Sequence, residues 1–304
     1  MASAAHSFPI ALTIAGFDPS GEAGVLTDAR TFAAFGFRAS AAITSLTFQN
    51  SKHVFGALHQ SGEAVRAQVI PLLDDHRILC TKIGMLPTRD VVREVARLFR
   101  ENDLPSPVVD PVIISTSGQR LMEEDALDSL ISDLLPVTRL ITPNIPEAEQ
   151  LAGMPITSEA EMRQAAALIR GLGARAVLIK GGHLGGQGAE GGRPEARGRR
   201  QESGEGRQEA GGNTQERANE GDKDDQRFAL GKVAIDLLDD NGKVTIFRAE
   251  RIQGGALHGS GCILSAAVAA GLGKGMTLED SVSVAKTFVW EAIREASLFR
   301  KANC

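Results

Sequence analysis

The chain has 304 residues, of which 42% are hydrophobic, and it carries a formal net charge of −5 at pH 7. This length suits one large α/β domain, and the acidic balance excludes a general attraction to nucleic acid or to anionic lipid. No apolar run approaches the ~18 residues needed to cross a bilayer, and residues 1–8 show no secretion signal, so we expect a cytoplasmic protein with no membrane contact. Its three widely spaced cysteines argue against a disulfide framework and against a metal cluster.

Short apolar runs alternate with amphipathic ones, which is typical of strands that alternate with helices. In chain order the pattern predicts strand 10–15, helix 24–35, strand 39–48, strand 54–58, helix 62–73, a strand ending at 83, helix 88–100, strand 108–110, helix 121–134, strand 139–141, two helices between 146 and 171, and strand 176–179. Strands 233–238 and 244–252 then flank Asp239-Asp240-Asn241-Gly242, which suits a hairpin turn, and helices 259–270 and 278–296 follow. We therefore predict an α/β fold in a single domain spanning 1–304, with a mostly parallel central sheet, helices on both faces and an antiparallel edge hairpin.

One segment interrupts this alternation. Residues 185–227 contain no Val, Ile, Leu, Met or aromatic residue. Such a segment has no apolar surface to offset its chain entropy, so we expect a disordered, low-complexity insertion within the domain. A tolerated loop insertion is the favoured interpretation, and a regulatory or partner-binding role is the alternative.

Residues 257–262, hereafter the glycine turn, precede an Ala-rich helix and read Leu-His-Gly-Ser-Gly-Cys. Gly259 and Gly261 let the backbone come close to a ligand, and the first N–H groups of a helix favour an anion. Together with Ser260 they form a candidate site for the negative charge of a transferred phosphoryl group, with the Cys262 thiol beside it. The alternative is an ordinary glycine-rich turn capped by Ser260.

Polar side chains follow several predicted strands, where ligands bind in open parallel sheets. Thr47 and Gln49 could read the edge of a heterocycle, and Met85 could cover a flat ring. Lys180 precedes two glycines, which suits phosphate oxygens. The alternatives are a polar loop, a core methionine and a solvated lysine.

Two acidic residues also stand near strand ends. Asp110 ends one predicted strand, and Glu147 follows Asn144 after the next one. Such a pair could hold Mg²⁺ beside a phosphate chain. For Glu147 taken alone, a helix cap is the favoured alternative.

As a set these motifs are specific: Ala-Gly-Phe-Asp-Pro-Ser-Gly-Glu-Ala-Gly from residue 15, Asn-x-x-Glu from 144, Lys-Gly-Gly-His from 180 and His-Gly-Ser-Gly-Cys from 258. The chain resembles the hydroxymethylpyrimidine/phosphomethylpyrimidine kinases of thiamine biosynthesis, which belong to the ribokinase-like superfamily. The likeness covers residues 10–183 and 244–296. It implies a ribokinase-like three-layer fold and an ATP-dependent phosphotransferase that acts on a small pyrimidine and then on its monophosphate.

The resemblance also implies roles for individual residues. The pyrimidine would be held by Gly16, Ala23, Thr47, Gln49, Met85 and Val112. The ATP phosphates would lie near Asn144, Lys180 and the amides of Gly259, Ser260 and Gly261, and Mg²⁺ would be organised by Asp110 and Glu147. Cys262 would accept the proton of the substrate alcohol, with its thiol pKa lowered from ~8.5 by the helix start. We also expect a homodimer.

Glu22 departs from the family pattern because it stands where a glycine is usual, and its carboxylate would repel a phosphorylated substrate in the second step. The nearest rival is a pyridoxal or pyridoxine kinase of the same superfamily, although Cys262 in place of an aspartate disfavours it. A non-catalytic pyrimidine-binding relative is a rival from another class. A Rossmann-type oxidoreductase is disfavoured because no dinucleotide fingerprint follows the first strand.

Overall fold

The computed structural model describes residues 8–50, 53–115, 119–182, 233–250, 252 and 257–302. The predicted insertion at 185–227 lies outside these residues. Within them, no helix combines the length and the apolar character that a membrane span requires.

The described strands form one nine-stranded sheet in the order β3-β2-β1-β4-β5-β6-β7-β8-β9. They are β1 (Ile10–Phe17), β2 (Arg38–Gln49), β3 (Val54–His59), β4 (Ile78–Ile83), β5 (Val108–Val109), β6 (Leu140–Ile141), β7 (Ala176–Lys180), β8 (Val233–Asp240) and β9 (Lys243–Glu250). The six strands from β2 to β7 in this order are parallel, whereas β3 at one edge and β8 and β9 at the other pair antiparallel. The predicted mostly parallel sheet with an antiparallel edge is therefore confirmed.

The described helices connect these strands close to where the sequence pattern predicts them. They are α1 (Gly24–Ala34), α2 (Gly62–Asp75), α3 (Arg89–Glu101), α4 (Glu124–Ser129), α5 (Ile145–Ala152), α6 (Glu159–Gly171), α7 (Ser260–Gly273) and α8 (Leu278–Ala302). The predicted helix 121–134 is shorter than expected, because α4 passes into a π-helical turn and then into a 3-10 turn that contains Pro136.

The helices cover both faces of the sheet, so the molecule has three layers. On one face α2 to α6 pack over a core that includes Ile14, Ile83 and Val177. On the other face α1 and α7 pack on the sheet and α8 packs on α7. The Ala-rich sequence of α7 fits this place, because small side chains let a helix that is buried from Leu264 to Gly271 lie close to β4 and β5. Burial on both faces also explains why β1 is continuously apolar at its start.

The hairpin between β8 and β9 turns at Asn241-Gly242. Both residues have positive φ angles, 53° and 89°, as a two-residue type I′ turn requires. Asp240 pairs with Lys243 across the turn, and the Asp239 carboxylate accepts the Gly242 N–H at 2.7 Å. The conformational preferences of Asn241 and Gly242 and the hydrogen bond from Gly242 to Asp239 therefore determine the turn of this hairpin locally.

Candidate active site

Two helix N-termini meet at the carboxyl edge of the sheet, those of α1 and α7. Gly259 is the N-cap of α7 and has φ 78°, and a Cβ there would lie 1.8 Å from the Glu22 carbonyl oxygen. Gly24 opens α1 with φ 61°, and a Cβ there would lie 2.2 Å from the Gly16 carbonyl oxygen. Only glycine fits at either position, so the glycine turn and the turn after β1 pack directly against each other.

The glycine turn faces the charged groups that a phosphate site needs. A Cβ on Gly261 would lie 3.1 Å from Lys180 Nζ and 3.4 Å from Asp110 Oδ2. Gly259 is the N-cap of α7, so Ser260 is the first residue of the helix and not its cap. The structure therefore brings Gly259, Ser260 and Gly261 to the same place as Lys180.

Lys180 and Asp110 form the central ion pair of this edge, with Nζ and Oδ1 2.8 Å apart. Thr142, at the end of β6, donates its hydroxyl to the same Asp110 oxygen at 3.3 Å. Burial raises the pKa of Asp110, but the charges of Lys180 and Lys82 outweigh it and leave that pKa below its ordinary value. Burial lowers the pKa of Lys180, but Asp110 and Glu147 outweigh it and leave that pKa raised. Both groups are therefore ionised at neutral pH.

Asn144 and Glu147 form a reciprocal capping box at the start of α5. The Asn144 side chain accepts the Glu147 N–H at 2.9 Å, and the Glu147 carboxylate accepts the Asn144 N–H at 2.8 Å. The helix-cap alternative for Glu147 is thus confirmed. Asn144 also bridges to Lys180 as a parallel β-pair, so the cap lies beside the ion pair. Burial raises the pKa of Glu147 to about 7 against the opposing charge of Lys180, so this carboxyl titrates near neutral pH.

Three of the residues predicted to hold a ring, Gly16, Thr47 and Met85, lie at or just after the ends of β1, β2 and β4. A Cβ on Gly16 would lie 3.2 Å from the sulfur of the buried Met85, so these two residues are in contact. Thr47 donates its hydroxyl to the Phe17 carbonyl at 2.8 Å, which ties β2 to the end of β1. Val112 lies two residues after Asp110 and is half-buried, and its N–H donates to the Asp110 backbone carbonyl at 2.9 Å.

Asp18, to which the sequence pattern assigned no role, links Ala23 and Gln49 to this cluster. Its carboxylate accepts the N–H groups of Ser20 at 2.8 Å and Ala23 at 2.9 Å. Burial raises the pKa of Asp18, but hydrogen bonds from Ser20, Gln49 and Ala23 outweigh it and leave that pKa lowered. The Asp-Pro-Ser-Gly sequence after a strand was the available signal, because Asp and Ser favour turns that close on their own backbone.

Cys262 contradicts one expectation. The start of α7 was expected to lower its thiol pKa, yet burial, with Asp28 and Asp110 adding to it, raises the pKa to about 11. The charge of Lys82 and a hydrogen bond from the Gly24 N–H act in the opposite direction but are too weak to reverse it. Desolvation of the thiolate therefore outweighs the helix start, and the thiol is protonated at neutral pH.

A second ion pair at this edge was also missed. Lys82 Nζ and Asp28 Oδ2 lie 2.9 Å apart, and both side chains are fully buried. Lys82 lies in the apolar strand β4, where a lysine between Thr81 and Ile83 is itself the signal. Asp28 lies one turn into α1, at a position that helical periodicity alone assigns to the core.

Comparison with known proteins agrees with this geometry. The family model described as phosphomethylpyrimidine kinase matches residues 18–193 and 224–303. The chain belongs to the phosphomethylpyrimidine kinase family. Among its relatives, the hydroxymethylpyrimidine/phosphomethylpyrimidine kinase of Streptomyces coelicolor is 36% identical over 94% of this chain and 88% of its own length.

Solved structures extend the family comparison to the fold. The crystal structure of phosphomethylpyrimidine kinase from Clostridium difficile superimposes with a TM-score of 0.71 at 29% identity and covers 94% of this chain and 99% of its own. An ADP complex of Bacillus subtilis pyridoxal kinase gives a TM-score of 0.71 at 28% identity, over 93% of this chain and 90% of its own. The predicted ribokinase-like fold is confirmed, and a phosphotransferase is the enzyme class of the family.

Proposed function

We propose that the protein transfers the γ-phosphoryl group of ATP to 4-amino-5-hydroxymethyl-2-methylpyrimidine and then to its monophosphate, a reaction of thiamine biosynthesis. Family membership supports this activity, and the name of the Streptomyces coelicolor relative covers both substrates. The observation that carries the proposal is the contact of Gly261 with Lys180 and Asp110, because it joins a helix start to a fixed ammonium at the edge where parallel sheets bind ligands.

The phosphate chain would lie between the glycine turn and Lys180. The amides of Gly259, Ser260 and Gly261 would face the oxygens of the migrating group, and the Lys180 ammonium would balance their charge. Asn144 would lie beside them, since it pairs with Lys180. Positioning and charge stabilisation account for most of the rate in such transfers.

The carboxylates of Asp110 and Glu147 fit a Mg²⁺ ion that is held mainly through water and phosphate. Among the described residues, no group of three or more His, Cys, Asp or Glu side chains converges on one point, so these residues do not provide a complete set of protein ligands for a metal ion. Mg²⁺ commonly uses one or two carboxylates and substrate phosphates instead. When bound, it would neutralise charge on the phosphate chain, and its charge would also favour the ionised form of Glu147.

The pyrimidine would occupy the cluster of Gly16, Ala23, Thr47, Gln49, Met85 and Val112. In that position its hydroxymethyl group would point toward the glycine turn, where Cys262 would accept the alcohol proton. Since the thiol is protonated in the unliganded site, the thiolate is a minor form whose population rises with pH.

The matched variants Lys180→Met and Lys274→Met test the phosphate site. Lys180 faces the glycine turn, whereas Lys274 is exposed at the end of α7 and stacks over Phe35. Lys180→Met should reduce kcat by at least about 100-fold, because one fixed charge at a phosphoryl group contributes about 3 kcal/mol. Lys274→Met should leave kcat unchanged. Equal effects of the two variants would contradict the placement of ATP.

Substrate choice is tested by incubating the protein with ATP, Mg²⁺ and either hydroxymethylpyrimidine, its monophosphate or pyridoxal. We expect product from the two pyrimidines. The pyridoxal kinase of Bacillus subtilis shares the fold at 28% identity, so product from pyridoxal alone would favour that second candidate function. Binding of the pyrimidine without any product would favour a non-catalytic relative.

The homodimer prediction finds support in an apolar face of β2 and β3. Leu46 and Leu58 are paired across the two strands, and Phe48 shares their face. All three are exposed, Phe48 and Leu58 by more than half. Such a patch on an edge hairpin is typical of an interface. Phe48→Lys should therefore yield a monomer in light scattering, while Leu168→Lys, at an exposed leucine of α6, should not. The cytoplasmic location stays a prediction.

A further inference from the structure

Asp236 is a buried carboxylate beside Lys180 to which the proposed reaction gives no part. It stands on β8 directly opposite Lys180, the last residue of β7. Its Oδ1 accepts the Gly181 N–H at 2.9 Å, and its Oδ2 forms an ion pair with the ammonium of Lys286 on α8. Asp236 is only 8% exposed, and it uses both oxygens within the protein.

Gly181 lies one residue beyond the end of β7, pressed against the backbone of β8. A Cβ on Gly181 would lie 2.0 Å from the Ile235 carbonyl oxygen, so a larger residue there would displace one of the two strands. This close approach brings the Gly181 N–H to the Asp236 side chain. The Asp236 carboxylate thus takes an N–H that the Lys-Gly-Gly sequence would otherwise offer to a phosphate oxygen.

Hydrogen bonds on both sides of Lys180 fix its backbone. Its own N–H donates to the Pro143 carbonyl, just after β6, at 2.8 Å. The next N–H, that of Gly181, donates to Asp236 on the β8 side. Because each peptide unit is planar, these two bonds orient the two peptide planes that flank the Lys180 Cα. They therefore set the direction in which the Lys180 side chain leaves the strand, toward Asp110.

Lys286 holds the Asp236 carboxylate from a helix that is itself well anchored. On α8, Leu278, Val282 and Ala285 are buried in the core on this face of the sheet. The ion pair fixes one carboxylate oxygen, so that the other stays directed at the Gly181 N–H. Desolvation offsets most of the attraction within a buried pair, so stability alone is a weak reason to keep it.

We propose that Asp236 is a positioning residue for phosphoryl transfer: its carboxylate, held by Lys286, fixes the Gly181 N–H and thereby directs Lys180 to the ATP phosphates. The proposal rests on the placement of ATP beside Lys180 in the proposed function. Asp236 acts through the backbone at Gly181, so its hydrogen-bonding oxygen matters to the reaction and its charge does not.

Two double variants isolate the hydrogen bond to Gly181. Both carry Lys286→Met, so neither leaves a buried charge without its partner. Asp236→Asn/Lys286→Met keeps a side-chain oxygen for the Gly181 N–H, whereas Asp236→Leu/Lys286→Met has a side chain of similar shape without an acceptor. Asp236→Ala/Lys286→Met makes the same comparison with a smaller side chain if the leucine disturbs the fold.

The dissociation constant of ATP would be measured by titration calorimetry with Mg²⁺ and without pyrimidine. The Asn double variant should bind ATP within about 2-fold of the wild type. The Leu double variant should bind ATP about 10-fold more weakly, because a misdirected Lys180 loses its charge-assisted hydrogen bond to phosphate.

A double-mutant cycle with Lys180→Met separates positioning from a general loosening of the site. Lys180→Met should itself weaken ATP binding by about 10-fold or more. In that background the Leu double variant should weaken it by less than about a further 2-fold, because its effect passes through a side chain that is no longer there. A merely structural defect would add its full factor in both backgrounds.

Asp240→Leu is the matched control at the other end of β8. Asp240 lies opposite Ala176, the first residue of β7, and forms an ion pair with Arg139 at 3.0 Å. The substitution removes a partly buried ion pair from the same strand but from the opposite edge of the sheet. It should leave the dissociation constant of ATP unchanged.

The possible failures give different results. Equal ATP affinities in the Asn and Leu double variants, or full additivity of the Leu double variant with Lys180→Met, would overturn the role of Asp236. An unchanged dissociation constant in Lys180→Met would instead overturn the placement of ATP beside Lys180. Coupled affinities in a protein that forms no product from hydroxymethylpyrimidine would support the role of Asp236 and overturn the proposed substrate.

Discussion

The pH dependence of turnover follows from the raised pKa of Cys262. With a pKa of about 11, the thiolate fraction is only about 10⁻⁴ at pH 7, and forming it there costs about 5 kcal/mol. If the thiolate accepts the alcohol proton, kcat should rise by about 10-fold for each pH unit between about pH 7 and pH 9, until another step becomes limiting.

Cys262→Ser and Cys262→Asp are the perturbations that isolate this group. Cys262→Ser should lower kcat by at least about 100-fold, because a hydroxyl is a far weaker acid than a thiol and supplies almost no base. Cys262→Asp supplies a carboxylate that is ionised throughout this range, so its profile should lose the alkaline rise. The assay is ADP formation with saturating hydroxymethylpyrimidine, ATP and Mg²⁺. A flat wild-type profile, or the same slope in Cys262→Asp, would refute the reasoning.

Three further predictions concern the surroundings of this group. Gly259→Ala should abolish turnover and lower the melting temperature, since its Cβ would lie 1.8 Å from the Glu22 carbonyl oxygen. Gly275→Ala, at φ 81° with no atom within 4 Å of the new Cβ, should cost only about 1–2 kcal/mol of stability. Similar losses in the two variants would show that the glycine turn can shift. Burial raises the pKa of Glu147 from 4.5 to about 7, so the folded protein holds this proton more tightly than the unfolded chain does, and the wild type should lose about 3 kcal/mol of unfolding free energy as the pH rises from 4.5 to 7. Glu147→Gln should not show this loss. Urea titrations at the two pH values check the prediction, and a constant difference in stability between the two proteins would contradict it. Glu22→Gly and Glu22→Gln should each raise kcat/KM for the monophosphate about 5-fold relative to kcat/KM for hydroxymethylpyrimidine, because the exposed Glu22 carboxylate repels a phosphorylated ligand. The gain should be largest at low salt, where charges are least screened. A gain in Glu22→Gly alone would assign the effect to side-chain size.

Much of the fold was readable from the sequence because its signals are local. The alternation of apolar and amphipathic runs placed β1 and α7 within a few residues, since side chains on a strand or helix repeat with a fixed period. The Asn241-Gly242 turn was readable because both residues tolerate positive φ. The 3-10 and π-helical turns after α4 were not, because that stretch has the pattern of an ordinary helix.

The candidate site was readable only as a set of residues that follow strands. The sequence named Lys180, Asp110 and the glycine turn, because residues at the carboxyl ends of parallel strands share one edge. It did not pair Lys180 with Asp110, and it gave no role to Asp18 or Lys82. Such pairings depend on the order of strands in the sheet, which joins residues that lie 70 positions apart in the chain.

The sequence by itself determined the chemistry available to this protein: the glycines, the thiol, the ammonium and carboxyl groups, and the strands and helices that carry them. Only the tertiary structure decided their ionisation. A helix start acts on its neighbours over about one turn, which sequence reveals, and it favours a thiolate at Cys262. Burial depends on every element packed around the sulfur. The desolvation that it causes raises the pKa of Cys262 and so reverses the shift expected from the helix start.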